Sequence, residues 1–210
     1  MEASARRIRV WPRPRREMSI ADRLFLSRLR ERDEDAFSEM VRLEGDRVFN
    51  LVFRMVGDRS EAEDIAQEVF VTVFKQIDSF RGESQFSTWL LRIAANHAKN
   101  RIKYLARRRT TDDDVNEMET DHDPSLADRS MQARIHRPDT MLEVAELGDL
   151  LEQAISALDE EQRLLVILRD MEELSYEDIC EITGLPEGTV KSRLHRARME
   201  LKTLLDKNTR

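Results

Sequence analysis

The chain has 210 residues, 37% of them charged and only 6% aromatic, with a formal net charge of −7. That profile suits one or two small helical domains and not one large core. No apolar run is long enough to cross a bilayer. The arginine-rich start lacks the apolar segment of a secretory signal. The single cysteine, Cys180, excludes an internal disulfide.

Residues 1–19 carry Arg6, Arg7, Arg9, Arg13, Arg15 and Arg16 with Pro12 and Pro14. They show no periodicity and read as a basic disordered tail. Met18 opens a more ordinary stretch, so a translation start there is an alternative. From Ile20 the pattern turns helical. Leu24, Leu26 and Leu29 mark a first short helix. Asp33, Glu34 and Asp35 precede a long segment from Ala36 to Val56, striped by Phe37, Met40, Val41, Val48, Leu51, Val52 and Met55. Gly57 and Asp58 break it. Ser60 is the expected cap of the next helix, with Glu63 as its capping-box partner. That helix runs to about Ile77, with Ile65, Val69, Val73, Phe74 and Ile77 inward. Asp64, Gln67, Glu68 and Lys75 lie on its other side. A loop follows from Phe80 to Phe86. Ser87 or Thr88 starts a helix through Trp89, Leu90, Ile93, Ala94, Ala98, Ile102 and Leu105.

Charge is segregated along the chain. Residues 92–109 contain Arg92, Lys99, Arg101, Lys103, Arg107, Arg108 and Arg109 and no acid. Residues 110–128 contain Asp112, Asp113, Asp114, Glu117, Glu119, Asp121, Asp123 and Asp128 and no base. A partner feels these local blocks and not the whole-chain sum. Residues 110–141 read as a flexible acidic linker. The cluster has no glycine where an EF-hand loop requires one. His122 and His136 have no cysteine or histidine at ligand spacing. Neither a metal nor a cofactor is expected.

The helical pattern resumes at Met141. Leu142, Val144, Leu147, Leu150, Leu151, Ile155 and Leu158 suggest one helix. Asp159 can cap the next, with Gln162 as capping-box partner, ahead of Leu164, Leu165, Ile167, Leu168 and Met171. Ser175 and Asp178 form a further capping pair, flanked by a Leu174–Ile179 hydrophobic staple. Tyr176, Ile179, Cys180 and Ile182 carry that helix's apolar face, which makes Cys180 a buried structural thiol. Gly184 supplies the left-handed residue that ends it. Pro186 suits the first turn of the last helix. There Val190, Leu194, Ala197 and Leu201 point to one core, and Lys191, Ser192, His195 and Arg196 project from the adjacent flank. Arg193, Arg198 and Lys202 add positive charge. A short helix bracing a longer basic one is a helix-turn-helix design, whose second helix enters a DNA major groove.

Residues 184–198 (GLPEGTVKSRLHRAR) closely resemble the promoter-reading helix-turn-helix of bacterial RNA polymerase sigma factors of the extracytoplasmic-function group. Residues 61–70 (EAEDIAQEVF) resemble the helix with which such factors grip the clamp of core RNA polymerase. Residues 78–96 (DSFRGESQFSTWLLRIAAN) resemble the segment that opens and reads the minus-ten element. The resemblance covers roughly 20–109 and 142–205. It implies an all-α protein of two small domains joined by the acidic linker. Residues 20–109 would bind polymerase and the minus-ten element, and residues 142–210 would dock the minus-thirty-five element. Asp64, Gln67, Glu68 and Phe70 would face the polymerase. Phe80, Arg81, Ser84, Phe86, Ser87 and Thr88 would supply the minus-ten loop. Asn96 and Asn100, one turn apart, would reach bases, and Arg101, Lys103 and Arg107 to Arg109 would reach phosphates. Tyr176, Glu177, Thr189, Lys191, Ser192, Arg193, His195 and Arg196 would serve the minus-thirty-five element.

The implied partners are the clamp and flap of core RNA polymerase, promoter DNA and an anti-sigma factor. No small-molecule substrate, membrane insertion or catalytic residue is implied. Read from residues alone, Trp89 follows the apolar period and belongs to a core, whereas Phe80 and Phe86 fit either a core or a base platform. A stand-alone helix-turn-helix regulator is the alternative function, and a protein-only adaptor is a third.

Overall fold

The computed structural model describes residues 19–112, 148 and 150–208. Among these residues there is no strand. The expected basic tail and most of the acidic linker lie outside the described residues, as do Leu142, Val144 and Leu147. The N-terminal part is a bundle of α1 (Ile20–Arg30), α2 (Glu34–Val56), α3 (Arg59–Gln76) and α4 (Phe86–Asp112), with a 3₁₀ turn at Ile77–Ser79. The C-terminal part comprises α5 (150–156), α6 (Glu160–Val166), α7 (Tyr176–Thr183) and α8 (Glu187–Asn208).

Caps set the helix starts. Ser19 and Asp22 form a reciprocal capping box at α1. Asp33 caps α2 through the Ala36 amide at 2.9 Å. Asp58, and not Ser60, caps α3, accepting from the Glu61 amide at 2.8 Å. The chain leaves Gly57 in the left-handed region (φ 83°), which delivers Asp58 to the cap position two residues earlier than the Ser60 pattern suggests. The last helix of this bundle starts at Phe86, ahead of Ser87 and Thr88, and continues past Leu105 to Asp112.

In the N-terminal bundle α2, α3 and α4 pack on one another. Their core includes Leu29, Met40, Leu51, Met55, Ile65, Leu90 and Leu91, all fully buried. Burial of each such side chain contributes about 1.5–3 kcal/mol. Three expected core residues face out instead: Leu24, Val41 and Phe74 are exposed. Phe74 lies against Phe37, with ring centroids 4.8 Å apart, and under the guanidinium of Arg32 at 5.2 Å. Arg32 is left-handed (φ 62°) and also bonds Asp78 at 2.7 Å. It therefore clips α1 to the end of α3.

The C-terminal part closes around Leu158, Leu164, Leu165, Leu168, Ile179, Val190, Leu194 and Ala197. Asp159 caps α6, accepting from the amides of Glu161 and Gln162. At Ile167 the α6 helix widens into a π turn ending at Met171. The Glu172 amide reaches Ile167 O at 2.9 Å and the Leu174 amide reaches Leu168 O at 3.0 Å, with Glu173 left-handed (φ 53°). Buried residues of both parts belong to one continuous apolar cluster, with α7 seated on α4.

Candidate nucleic-acid interface

The loop between the 3₁₀ turn and α4 is held by an aromatic cluster. Phe80, Phe86 and Trp89 have ring centroids 5.4 to 5.8 Å apart. Phe80 is 3% exposed and Trp89 5%, while Phe86 is half-buried. Arg30 donates to Phe80 O at 2.7 Å and fixes the loop's start. Beside the rings lies a cleft of about 230 Å³, lined by Ser79, Phe80, Arg81, Glu83, Ser84, Trp89, Arg92 and, from α7, Glu181.

A polar ladder joins α3 to α4. Arg101 donates to Glu61 at 2.5 Å and to Glu68 at 3.1 Å. Glu68 also meets His97 Nδ1 at 3.4 Å, and His97 Nε2 lies 3.0 Å from Thr72 Oγ1. Asp64 and Gln67 are exposed on the same helix, and Phe70 is half-buried against the core. Asn96, Asn100 and Lys103 are exposed along α4.

The pair α7 and α8 is built as a rigid corner. Ser175 Oγ accepts from the Asp178 amide at 3.1 Å. Gly184 (φ 72°) sends its amide to Cys180 O at 2.8 Å and ends α7. Pro186 stands just outside α8, its carbonyl accepting from the Val190 amide at 3.0 Å. Val190, Leu194 and Ala197 are buried, which leaves Lys191, Ser192, His195 and Arg196 exposed on the opposite flank. Lys191 pairs with Glu187 at 2.5 Å, and that hydrogen bond holds its ammonium above the usual lysine range. The same ammonium stands 5.2 Å from the Tyr176 ring, and Arg169 stands 4.8 Å from it. Arg193 turns away, to an ion pair with Glu161 on α6, and Arg198 pairs with Asp170. Cys180 is half-buried, and burial followed by the Glu187 charge pushes its thiol up.

The two parts touch through polar contacts of long sequence separation. Thr88, 1% exposed, donates to Asp178 at 3.1 Å. Arg92 faces Glu181 at 3.8 Å. Arg47 on α2 donates to Glu172 at 2.5 Å, and Arg163 donates to Met55 O at 2.6 Å.

Comparison with known proteins assigns both halves. The family described as Sigma-70 region 2 matches residues 40–109, and Sigma-70, region 4 matches residues 148–201. The ECF RNA polymerase sigma factor SigW of Bacillus subtilis is 36% identical over 191 residues, spanning 90% of this chain and 98% of that protein. The RNA polymerase sigma-H factor of Pseudomonas aeruginosa is 37% identical over 181 residues, spanning 84% and 90%. This chain belongs to the extracytoplasmic-function sigma factors. A solved relative, the sigma factor RpoE in complex with the anti-sigma factor NepR from Bartonella quintana, is 25% identical with a TM-score of 0.63. It covers 81% of this chain and 96% of that one. CnrH, solved in complex with the cytosolic domain of CnrY, shares the fold at 21% identity and a TM-score of 0.61, over 89% and 97% of the two chains.

In this sigma factor the candidate residues fall into two sets. Asp64, Gln67, Arg81, Asn96, Asn100, Lys103, Glu177, Lys191, Ser192, His195 and Arg196 are exposed, and Ser84, Ser87, Tyr176 and Thr189 are half-buried. Phe80 and Thr88 are buried, Arg101 and Glu68 are tied to each other, and Arg193 is drawn to α6. Arg107 and Arg108 are exposed, whereas the Arg109 side chain lies outside the described residues. Sequence reasoning missed Glu181 and Glu83 at the cleft. Glu181 comes from the other half of the chain, so no local pattern announces it.

Proposed function

We propose that this sigma factor divides its work between the two helical parts, as a dissociable initiation subunit of RNA polymerase. Residues 20–109 bind core polymerase through Asp64, Gln67 and Phe70. The cleft beside Arg81, Ser84 and Phe86 takes an unpaired minus-ten base. Residues 142–210 dock the minus-thirty-five element through Lys191, Ser192, His195 and Arg196. The observation that carries this reading is α8: buried Val190, Leu194 and Ala197 anchor it, and its exposed flank offers a lysine, a serine, a histidine and an arginine. Such donors suit phosphates and base edges in a major groove.

The chain itself makes and breaks no bond, because polymerase performs the chemistry. Its place is the cytoplasm, with polymerase on the nucleoid. Among the described residues no helix is long and apolar enough to cross a membrane. An anti-sigma protein is a further partner, supported by the relatives solved with one.

The test is run-off transcription with purified core polymerase on pooled genomic fragments, with and without the protein. Discrete transcripts that require the protein are expected. Polymerase binding without transcripts on that pool, or neither, counts against promoter selection. Duplex DNA binding without polymerase would favour the stand-alone regulator.

A further inference from the structure

On the exposed flank of α8, Lys191, Ser192, His195 and Arg196 can all donate a proton, whereas ionised Glu187 can only accept one. Glu187 opens the helix, is exposed, and is the one acid among residues 187–198. Its carboxylate meets the Lys191 ammonium at 2.5 Å, one turn further on. The Tyr176 ring of α7 stands 5.2 Å from the same ammonium. Lys191 is thus held between a carboxylate and a ring. As a stability device the ion pair is slight, because its side chains are 55% and 54% exposed. Gly188, next in the chain, adds no side chain, and nothing lies within 4 Å of where its Cβ would stand. The tip of α8 is therefore open beside the pair.

We propose that Glu187 is a specificity-determining residue, and that Glu187 and Lys191 together read one C·G base pair of the minus-thirty-five element. This rests on the reading that α8 enters the major groove there, with its N-terminal residues at base edges. In that groove cytosine offers the N4 amine, and its guanine partner offers two acceptors, O6 and N7. The edge runs donor, acceptor, acceptor, and a carboxylate beside an ammonium is its complement. The carboxylate accepts from N4, and the ammonium donates to O6 and N7. An A·T pair fits less well, because its acceptors flank the amine on both sides and a methyl group follows. Lysine and arginine have no acceptor, so they are blind to the amine. The carboxylate also rejects. Against an edge that turns only acceptors toward it, the charge is desolvated with nothing to hold and phosphates nearby.

The test uses holoenzyme assembled from core polymerase and the full chain. It transcribes a promoter library with a randomised upstream duplex, each template barcoded within the transcribed region, and the transcripts are sequenced. Wild type is expected to favour C·G at one upstream position by roughly 5- to 150-fold, the factor that one such base contact corresponds to. Glu187→Ala should flatten the preference at that position. Glu187→Gln should turn it toward A·T, because an amide pairs with adenine N6 and N7. A Glu187→Ala holoenzyme that keeps the wild-type preference at every position would overturn the assignment. It would leave Glu187 as a charge that suits any helix N-terminus. A change in yield that is equal for all sequences would overturn it too. A wild-type holoenzyme that selects no upstream sequence would instead remove the promoter reading itself, and this assignment with it.

Discussion

Gly184→Ala isolates one term in the stability of the helix-turn-helix. Gly184 has φ 72° and ends α7. A Cβ placed there meets nothing within 4 Å, so the change introduces no clash. The remaining cost is that of holding an L-residue in the left-handed region, about 1–2 kcal/mol. Alanine also narrows the unfolded ensemble, but this offsets less than the strain where φ is positive. The expected loss is about 1 kcal/mol, or a fall in Tm of roughly 2–8 °C, depending on whether the chain melts as one unit or two. Gly188→Ala is the matched control. It too is surrounded by open space, but it lies within α8 with no positive φ. It should be neutral or stabilise, by up to about 1 kcal/mol. Thermal melts followed by circular dichroism measure both, and Gly184→Asn should recover part of the loss because asparagine tolerates this conformation. Equal melting temperatures for the two alanine variants would refute the conformational argument. A loss above about 3 kcal/mol would mean that the turn carries contacts besides its backbone geometry.

Phe80→Ala should cost about 3–5 kcal/mol, as for other buried aromatics, and Phe86→Ala less, in denaturant titration. A Phe80→Ala variant that melts normally but loses DNA binding would make the ring a base platform instead of core. Burial holds the Glu44 carboxyl above its usual range, with Arg47 pulling it down and Glu172 pushing it up. Its folded pKa therefore exceeds its unfolded one, and stability is lost as pH rises from the unfolded value through the folded one. Glu44→Gln is accordingly expected to be more stable than wild type at pH 7, and the advantage should vanish below about pH 4 in melts across pH. Lys191→Ala with Arg196→Ala should weaken minus-thirty-five duplex binding by roughly 10- to 100-fold per lost base contact and spare polymerase binding. Asp64→Ala with Gln67→Ala should do the reverse, and matching behaviour of the two pairs in separate assays would refute the division of labour.

Local signals carried most of the fold. Ser175, Gly184 and the spacing of Val190, Leu194 and Ala197 place the helix-turn-helix because caps and period are short-range properties. The Ser60 cap misread such a signal, since Asp58 two residues earlier offered an equal oxygen and Gly57 decided between them. Phe74 fits the apolar period but lies at the bundle's edge, where Phe37 and Arg32 cover only one side. The exposure of candidate residues was legible where helix period alone decides it, as at Ser192, His195 and Arg196. It was not legible where a partner arrives from elsewhere. Thr88, Arg92 and Arg47 meet residues 90, 89 and 125 positions away, and spacing does not encode such encounters.

The length of α4 has a geometric consequence for the charge it carries. The helix runs unbroken from Phe86 to Asp112, and the C-terminal part grips it near its beginning, at Thr88 and Arg92. Lys103, Arg107 and Arg108, all exposed, ride on the outer stretch of the same rod. At 1.5 Å per residue their backbone stands roughly 22 to 30 Å from Thr88. One helix thus holds a seat for the other half of the chain at one end and a basic arm well clear of it at the other.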